Sequence, residues 1–210
     1  MTSCYNSFGA GEKRTWGRCH PQYRSAHASE MRRYTVTQVI ALSLSIGVLG
    51  AIWAFLALGP LSGFVLVWAG FIAWGCFFHT GGDNKALAKT IVGNAYGALL
   101  AWIALFMIVN VPIPQLGTVW PAVVVGVTVF FLVIVASIDL LSAVPANVYG
   151  YAALVAYSLH QPSAAPSTGP LQNLVSASFA NPLVLLIVSM VLGALFGYAS
   201  GQAANALTKK

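Results

Sequence analysis

Few side chains in this sequence could do chemistry, and those few lie in long apolar stretches. Asn94 and Asn147 are strongly polar residues within apolar sequence, and His79 ends another apolar stretch beside Thr80. A buried amide without a partner is costly, so each asparagine needs either a hydrogen bond to a neighbouring helix or contact with water or a polar solute. His79 could act as a gate at the end of its segment, although a solvated loop histidine is the commoner case.

Two apolar segments carry further residues that could line a solute path. Pro145 leaves a backbone carbonyl without its helical donor, which favours a broken helix facing a cavity. In the segment before His79, aromatic residues recur at helical spacing among small residues, so they could line a constriction or serve helix packing and interfacial anchoring. The candidate solute path is Trp68, Phe71, Trp74, Phe78, His79, Asn94, Pro145, Asn147, Gly150 and Tyr151.

Enzymatic chemistry is not expected from this sequence. The chain has four Asp and Glu residues in total, and it shows no catalytic triad, paired carboxylates, P-loop or dinucleotide-binding glycine motif at a workable spacing. A metal site from Cys4, Cys19, His20 and His27 is conceivable, but their spacing matches no standard zinc pattern. We therefore expect no catalytic residues, no cofactor and no metal.

The elements that must position these residues are membrane-spanning helices. Hydrophobic residues make up 58% of the chain and charged residues 7%, which is too little polar surface for a soluble protein. No Asp, Glu, Lys or Arg occurs between positions 34 and 82, between 90 and 138, or between 140 and 208. An ionised side chain at mid-membrane costs roughly 2.5–3.5 kcal/mol, so these stretches belong in lipid.

The length of these stretches predicts an all-α, polytopic bundle of about six transmembrane helices. A hydrocarbon core of ~30 Å, crossed at ~1.5 Å per residue, needs about 20 residues per span. The predicted spans are 37–58, 61–78, 89–109, 118–138, 144–159 and 182–203.

The positive charges predict the orientation of this bundle. Six of the ten Lys and Arg residues precede position 34, and the others are Lys85, Lys89, Lys209 and Lys210. Cytoplasmic loops carry the Lys and Arg excess, so six spans place both termini on the cytoplasmic side, whereas five would place the final lysines outside. The net charge of +6 therefore reflects topology, and we expect no nucleic-acid partner.

The chain divides into two parts. Residues 1–33 are polar and basic without apolar periodicity, which indicates a disordered cytoplasmic tail, and residues 34–210 form the transmembrane domain. Met31, followed by two arginines, is an alternative start of the native protein, because these arginines alone would satisfy the charge rule.

The sequence also contains a weak internal similarity. A shift of 80 positions aligns Leu61 with Leu141 and Gly70 with Gly150, and residues 97–99 and 193–195 both read Gly-Ala-Leu. Such sparse identity could arise by chance in apolar sequence. If the repeat is real, its three-helix halves are inverted in the bilayer, and the solute path lies at their interface.

Several motifs resemble those of a known family. They are Trp-Ala-Gly-Phe-Ile-Ala-Trp at 68–74, Gly-Gly at 81–82, Asn-Ala-Tyr-Gly at 94–97, Leu-Ser-Ala-Val-Pro at 141–145 and Leu-Phe-Gly-Tyr at 195–198. The chain resembles the domain of unknown function 1097 proteins of bacterial inner membranes, the YcdZ-like proteins, over roughly residues 36–203. The longer loop at 161–181 and the presence of His79 depart from the family pattern. The resemblance implies location and fold but no activity.

Two functions remain open from the sequence. A channel or permease for a small neutral solute fits a membrane interior without fixed charge, because ion-coupled carriers usually contain an intramembrane acid. A non-transporting scaffold or accessory subunit fits the glycine-rich helix faces. The pairs Gly93/Gly97 and Gly193/Gly197 permit close helix approach, either within the chain or in a homo-oligomer. The lipid bilayer is the expected partner in either case.

Overall fold

The computed structural model describes residues 21–160 and 169–208, and describes side chains from residue 37 onward. These residues form six α-helices and three short 3-10 helices, with no strand. The α-helices are α1 (Pro21–Leu58), α2 (Val67–His79), α3 (Asn84–Asn110), α4 (Val119–Ile134), α5 (Val144–His160) and α6 (Pro182–Thr208). The 3-10 helices are Pro114–Leu116, Val135–Ser137 and Asp139–Leu141.

Helix α1 begins at Pro21, so residues 21–33, which the sequence assigns to a disordered tail, belong to a helix. Residues 1–20 lie outside the described residues, and so does the side chain of His27. The conceivable metal site of the amino-terminal segment falls in this part of the chain. The alternative start at Met31 concerns the natural extent of the protein and stays a prediction.

Four helical segments are long and apolar enough to cross a membrane, so the chain is a multi-pass membrane protein. They are Thr37–Leu58, Asn84–Asn110, Val119–Ser137 and Pro182–Thr208. Helix α2 has 13 residues and α5 has 17, which gives lengths of about 20 Å and about 26 Å. Both are shorter than the ~30 Å hydrocarbon core.

The second and fifth predicted spans differ from the expectation, each in its own way. The span predicted from residue 61 begins as a helix at Val67, because residues 61–66 form turns around Gly63, whose φ is +86°. The predicted break at Pro145 is wrong: α5 begins at Val144, so Pro145 lies in the first helical turn. A proline there removes no intrahelical hydrogen bond, since the first N–H groups of a helix have no carbonyl partner.

A tight turn joins α2 to α3 and sets the start of α3. Gly81 and Gly82 have φ values of +125° and +71°, which glycine adopts without a steric penalty. The Asp83 side chain then caps α3 by accepting a hydrogen bond from the Ala86 N–H at 2.7 Å. The turn therefore places the first residues of α3 next to the end of α2.

Helices α3 and α5 pack closely along their length. A Cβ atom added at Gly97 would collide with the carbonyl oxygen of Asn147, and one added at Gly93 would lie 2.7 Å from the Cβ of Ala146. Glycine allows this approach, which brings the two backbones into contact without a side chain between them. The contacts advance from Ala146 to Tyr151 as α3 advances from Gly93 to Gly97, so the two helices are parallel.

Helices α2 and α6 form a second closely packed pair. A Cβ atom added at Gly193 would collide with the backbone of Gly70. One turn earlier, the Leu66 N–H donates a hydrogen bond to the Ser189 hydroxyl at 2.8 Å. These contacts make α2 and α6 parallel as well. Because the short turn after α2 reverses the chain into α3, the α2/α6 pair runs opposite to the α3/α5 pair.

The outer helices pack on this central group. Helix α1 packs mainly on α6, and α4 packs mainly on α3. The buried indole of Trp53 donates a hydrogen bond from Nε1 to the Val67 carbonyl at 3.0 Å, which fixes α1 to the start of α2. Large apolar side chains such as Phe55 and Phe130 face outward, as lipid contact requires.

Candidate functional site

A polar cavity of about 290 Å³ lies where α2 ends and where α3 and α5 begin. Three helix ends meet there because the α2–α3 turn is short and because the 3-10 turn before α5 returns the chain to the same end of the bundle. The residues that line it are Cys76, His79, Thr80, Lys89, Ser142, Ala143 and Pro145.

Lys89 supplies the positive charge of this cavity. Its Nζ atom donates to Asp139 Oδ1 at 2.9 Å and to the Ser142 hydroxyl oxygen at 2.9 Å. The Lys89 side chain is 22% exposed and that of Asp139 is 89% exposed, so water screens the ion pair on the aspartate side. The hydrogen bond from Lys89 is the main cause that lowers the pKa of Asp139, and the positive charge of Lys89 lowers it further. An ammonium group has three donors, so one remains for another acceptor.

Thr80 lines the same cavity and contacts Thr90, which does not line it. The Thr80 hydroxyl donates to the carbonyl oxygen of Cys76, one turn earlier in α2. Its oxygen also lies 2.8 Å from the hydroxyl of the fully buried Thr90. Since a hydroxyl has a single proton, Thr90 is the donor in this second bond. The carboxyl end of α2 is thereby linked to α3 beneath the polar cavity.

An apolar cleft of about 660 Å³ runs between α2 and α5. Small residues line the middle of this cleft and do not fill it, whereas aromatic residues lie at its ends. It is lined by Trp68, Phe71, Ile72, Gly75, Cys76, Tyr149, Ala152, Ala153 and Ala156. The ring centroids of Trp68 and Tyr157 are 6.4 Å apart at one end.

The polar cavity and the apolar cleft share one wall, which Cys76 forms. Next to it, His79 Nδ1 lies 3.0 Å from the Tyr149 hydroxyl oxygen. His79 lines the polar cavity and Tyr149 lines the cleft, so this hydrogen bond crosses the junction between them. The two spaces thus adjoin at the thiol and the His79–Tyr149 pair.

The two predicted asparagines are equally buried but have different surroundings. Asn147 is fully buried, and its amide nitrogen donates to the carbonyls of Leu132 at 3.2 Å and Leu141 at 3.1 Å. It therefore ties α5 to the end of α4. Asn94 is 1% exposed, and neither atom of its amide has a partner in the part of the chain that the structure describes.

The remaining predicted path residues fall into separate places. His79 and Pro145 line the polar cavity, and Trp68 and Phe71 line the cleft. The other four pack between helices. Trp74 donates to the Ser200 hydroxyl, and Phe78 packs against a buried apolar cluster that contains Trp53. Gly150 lies against the Asn94 backbone, and the Tyr151 hydroxyl contacts that of Thr128. Four of the ten predicted residues therefore line the two spaces, and the other six lie elsewhere between the helices.

Five residues with hydroxyl, thiol or ammonium groups border the two spaces without having been predicted: Cys76, Thr80, Lys89, Ser142 and Tyr149. Lys89 was used for orientation alone, and its bond to Asp139 spans 50 positions of sequence, so no local pattern could indicate it. Among residues 37–160 and 169–208, no group of three His, Cys, Asp or Glu side chains could hold a metal ion.

Comparison with known proteins identifies a family and nothing more specific. No curated protein and no solved structure matches the chain. The model of a family described as protein of unknown function (DUF1097) matches residues 43–205, an interval that contains both the polar cavity and the apolar cleft. That interval covers more than half of the sequence. The chain therefore belongs to the DUF1097 family.

Proposed function

We propose that this protein is a channel or permease for a small neutral solute. The observation that carries the proposal is that the polar cavity and the apolar cleft lie next to each other at Cys76. Together they lead from one end of the bundle to the space between α2 and α5. A hydrogen-bonding solute could enter among the hydroxyl groups of Thr80 and Ser142 and then pass the His79–Tyr149 pair.

The charge distribution supports a neutral solute and passive movement. The four helical segments that can cross a membrane contain no Asp or Glu, and their lysines lie in the first two turns of α3. Ion-coupled carriers usually need an ionisable group within the membrane. The buried amide of Asn94 is neutral and unpartnered, although it lines neither the polar cavity nor the apolar cleft. No enzymatic role is proposed.

We also propose that all six helices cross the membrane and that the two halves are an inverted repeat. In the sequence alignment of the two halves, the shift of 80 positions makes Leu66 equivalent to Ala146. The alignment of Gly97 with Gly193 makes Gly93 equivalent to Ser189. Leu66 contacts Ser189, and Ala146 contacts Gly93, so equivalent positions contact each other in the α2/α6 and α3/α5 pairs. The opposite directions of the two pairs agree with an inverted arrangement.

The short helices α2 and α5 are compatible with this arrangement. In transporters built from inverted repeats, short or interrupted segments border the binding region, where their ends face a cavity. Here the end of α2 and the start of α5 both border the polar cavity. Lys85 and Lys89 at this same end of the bundle support cytoplasmic termini, and the family resemblance supports a bacterial inner membrane.

The test is solute flux into proteoliposomes. Purified protein would be reconstituted, and the entry of a panel of small neutral solutes would be followed by light scattering. We expect flux above that of empty vesicles. We expect Cys76→Trp to abolish this flux, because the indole would block the space where the cavity and the cleft lie next to each other. Val127→Trp, on the outward face of α4, is the matched control. Absence of flux for the whole panel, or full flux in Cys76→Trp, would refute the proposal.

A scaffold or accessory subunit is the second candidate. It is favoured by the dense glycine packing, in which Gly97 and Gly193 lie against backbone and not against a cavity. The glycine pairs that suggested a homo-oligomer thus contact helices of the same chain. A scaffold would co-purify with a stoichiometric partner and would lose stability when that partner is removed, whereas a channel would stay folded and active alone.

A further inference from the structure

The apolar cleft opens sideways, toward the surroundings of the bundle. Phe71 is 42% exposed and Ile72 is 37% exposed, and Gly75 and Ala152 are exposed across from each other. In a bilayer, the molecules that meet such an opening are lipids. Lipid tails are as apolar as the cleft itself, so an acyl chain gains little by moving into it. Any selection among lipids must come from the polar cavity at its end.

The polar cavity has the chemistry of an anion site. The ammonium of Lys89 retains a free donor, and the hydroxyl of Ser142 lies beside it. Helix α5 begins at this cavity, with Ala143 and Pro145 in the lining, so its positive dipole end faces the same space. The carboxylate of Asp139 competes with an anionic ligand for Lys89. It is mostly exposed, however, so it can lose its bond to Lys89 and bind water instead at low cost.

The position of Lys89 relative to the membrane suits a lipid headgroup. It lies in the second turn of α3, near one end of the apolar segment Asn84–Asn110. Its partner Asp139 follows directly after the segment Val119–Ser137. Both residues therefore lie at the level where headgroups meet the hydrocarbon core. Because the cleft begins at the same junction, one amphipathic molecule could occupy both spaces.

We infer that the polar cavity and the adjacent apolar cleft bind one phospholipid with an anionic headgroup. The phosphate contacts Lys89, Ser142 and the start of α5, and an acyl chain lies along the cleft past Cys76. A transmembrane helix of a second copy fits less well, because none of the four apolar segments contains an Asp or Glu that could reach Lys89. The lipid would occupy the same two spaces as the proposed solute path, so it is an alternative occupant of them, and the protein could bind lipid without conducting anything.

The test uses the purified full-length protein in a mild detergent and two short-chain lipids with identical tails. Dioctanoyl phosphatidylglycerol is anionic, and dioctanoyl phosphatidylcholine is zwitterionic. Binding would be measured by native mass spectrometry and by the rise in melting temperature. We expect the anionic lipid to bind about fivefold more tightly, which is the effect of one lysine near an anionic headgroup.

Two variants separate recognition from folding. Lys89→Gln should abolish the preference for the anionic lipid, whereas Asp139→Asn should keep or increase it. Both changes break the same ion pair, so a purely structural role of the pair would affect them equally. Ala152→Trp, which fills the cleft at an exposed position, should weaken the binding of both lipids.

Three results would overturn the inference. The first is equal affinity of the wild-type protein for the two lipids, and the second is loss of the preference in Asp139→Asn as well as in Lys89→Gln. The third is a stable dimer that binds neither lipid, which would assign the cleft to a second copy of the chain. Flux of neutral solutes is a separate measurement, so its absence would contradict the proposed function and leave the lipid site standing.

Discussion

The contrast between the two buried asparagines gives the sharpest prediction. Replacing Asn147 by Leu removes two hydrogen bonds, to the carbonyls of Leu132 and Leu141. Hydrogen bonds between membrane helices contribute about 0.6 kcal/mol each on average and up to about 1.7 kcal/mol. The free energy of unfolding should therefore fall by about 1–3 kcal/mol. Asn94→Leu removes an amide that has no partner, which should leave stability unchanged or raise it by up to about 1–3 kcal/mol.

The two variants control for each other. Both asparagines are almost completely buried, and both changes introduce the same side chain, so cavity filling and local crowding are similar. Reversible unfolding in mixed detergent micelles, followed by tryptophan fluorescence, would measure the two free energies. Equal destabilisation by Asn94→Leu and Asn147→Leu would refute the reasoning, since it would mean that the Asn94 amide makes contacts as strong as those of Asn147.

The same pair bears on the proposed function. If the Asn94 amide contacts the solute, Asn94→Leu should reduce flux in proteoliposomes while the protein stays as stable as wild type. Asn147→Leu, in contrast, should reduce flux in proportion to the loss of folded protein. Full flux in a stable Asn94→Leu variant would exclude this residue from the solute path. The Cys76→Trp variant would still test whether the path exists.

Two further predictions concern packing and pH. Gly97→Ala should destabilise the protein by about 1–3 kcal/mol, because the added methyl group would meet backbone atoms. A methyl group added at Gly126 would have no atom within 4 Å, so Gly126→Ala should be neutral or stabilising in the same unfolding assay. The folded state lowers the pKa of Asp139. Its bond to Lys89 should therefore stabilise the fold above the ordinary aspartate pKa and lose this effect as pH falls through the lowered value. Melting temperatures of wild type and Asp139→Asn should then converge in acid, and a difference that persists there would contradict this assignment.

The all-helical membrane character and the family were predictable from the sequence. Preference for lipid is close to a sum over residues, so charge-free stretches indicate it without knowledge of any contact. The segment Thr37–Leu58 coincides with the first predicted span. The helical start at Val67 was not predictable from hydropathy, because residues 61–66 are apolar and yet form turns.

Only the tertiary structure decided which residues meet. Asn94 and Asn147 looked alike in sequence, yet Asn147 bonds to two carbonyls and Asn94 to no described residue. Trp74 and Phe71 were assigned to one path, but Trp74 packs on α6 and Phe71 borders the cleft. The reason is that hydropathy treats each helix face alone, whereas the close approach of α3 to α5 and of α2 to α6 decides which face meets a neighbour, a cavity or lipid.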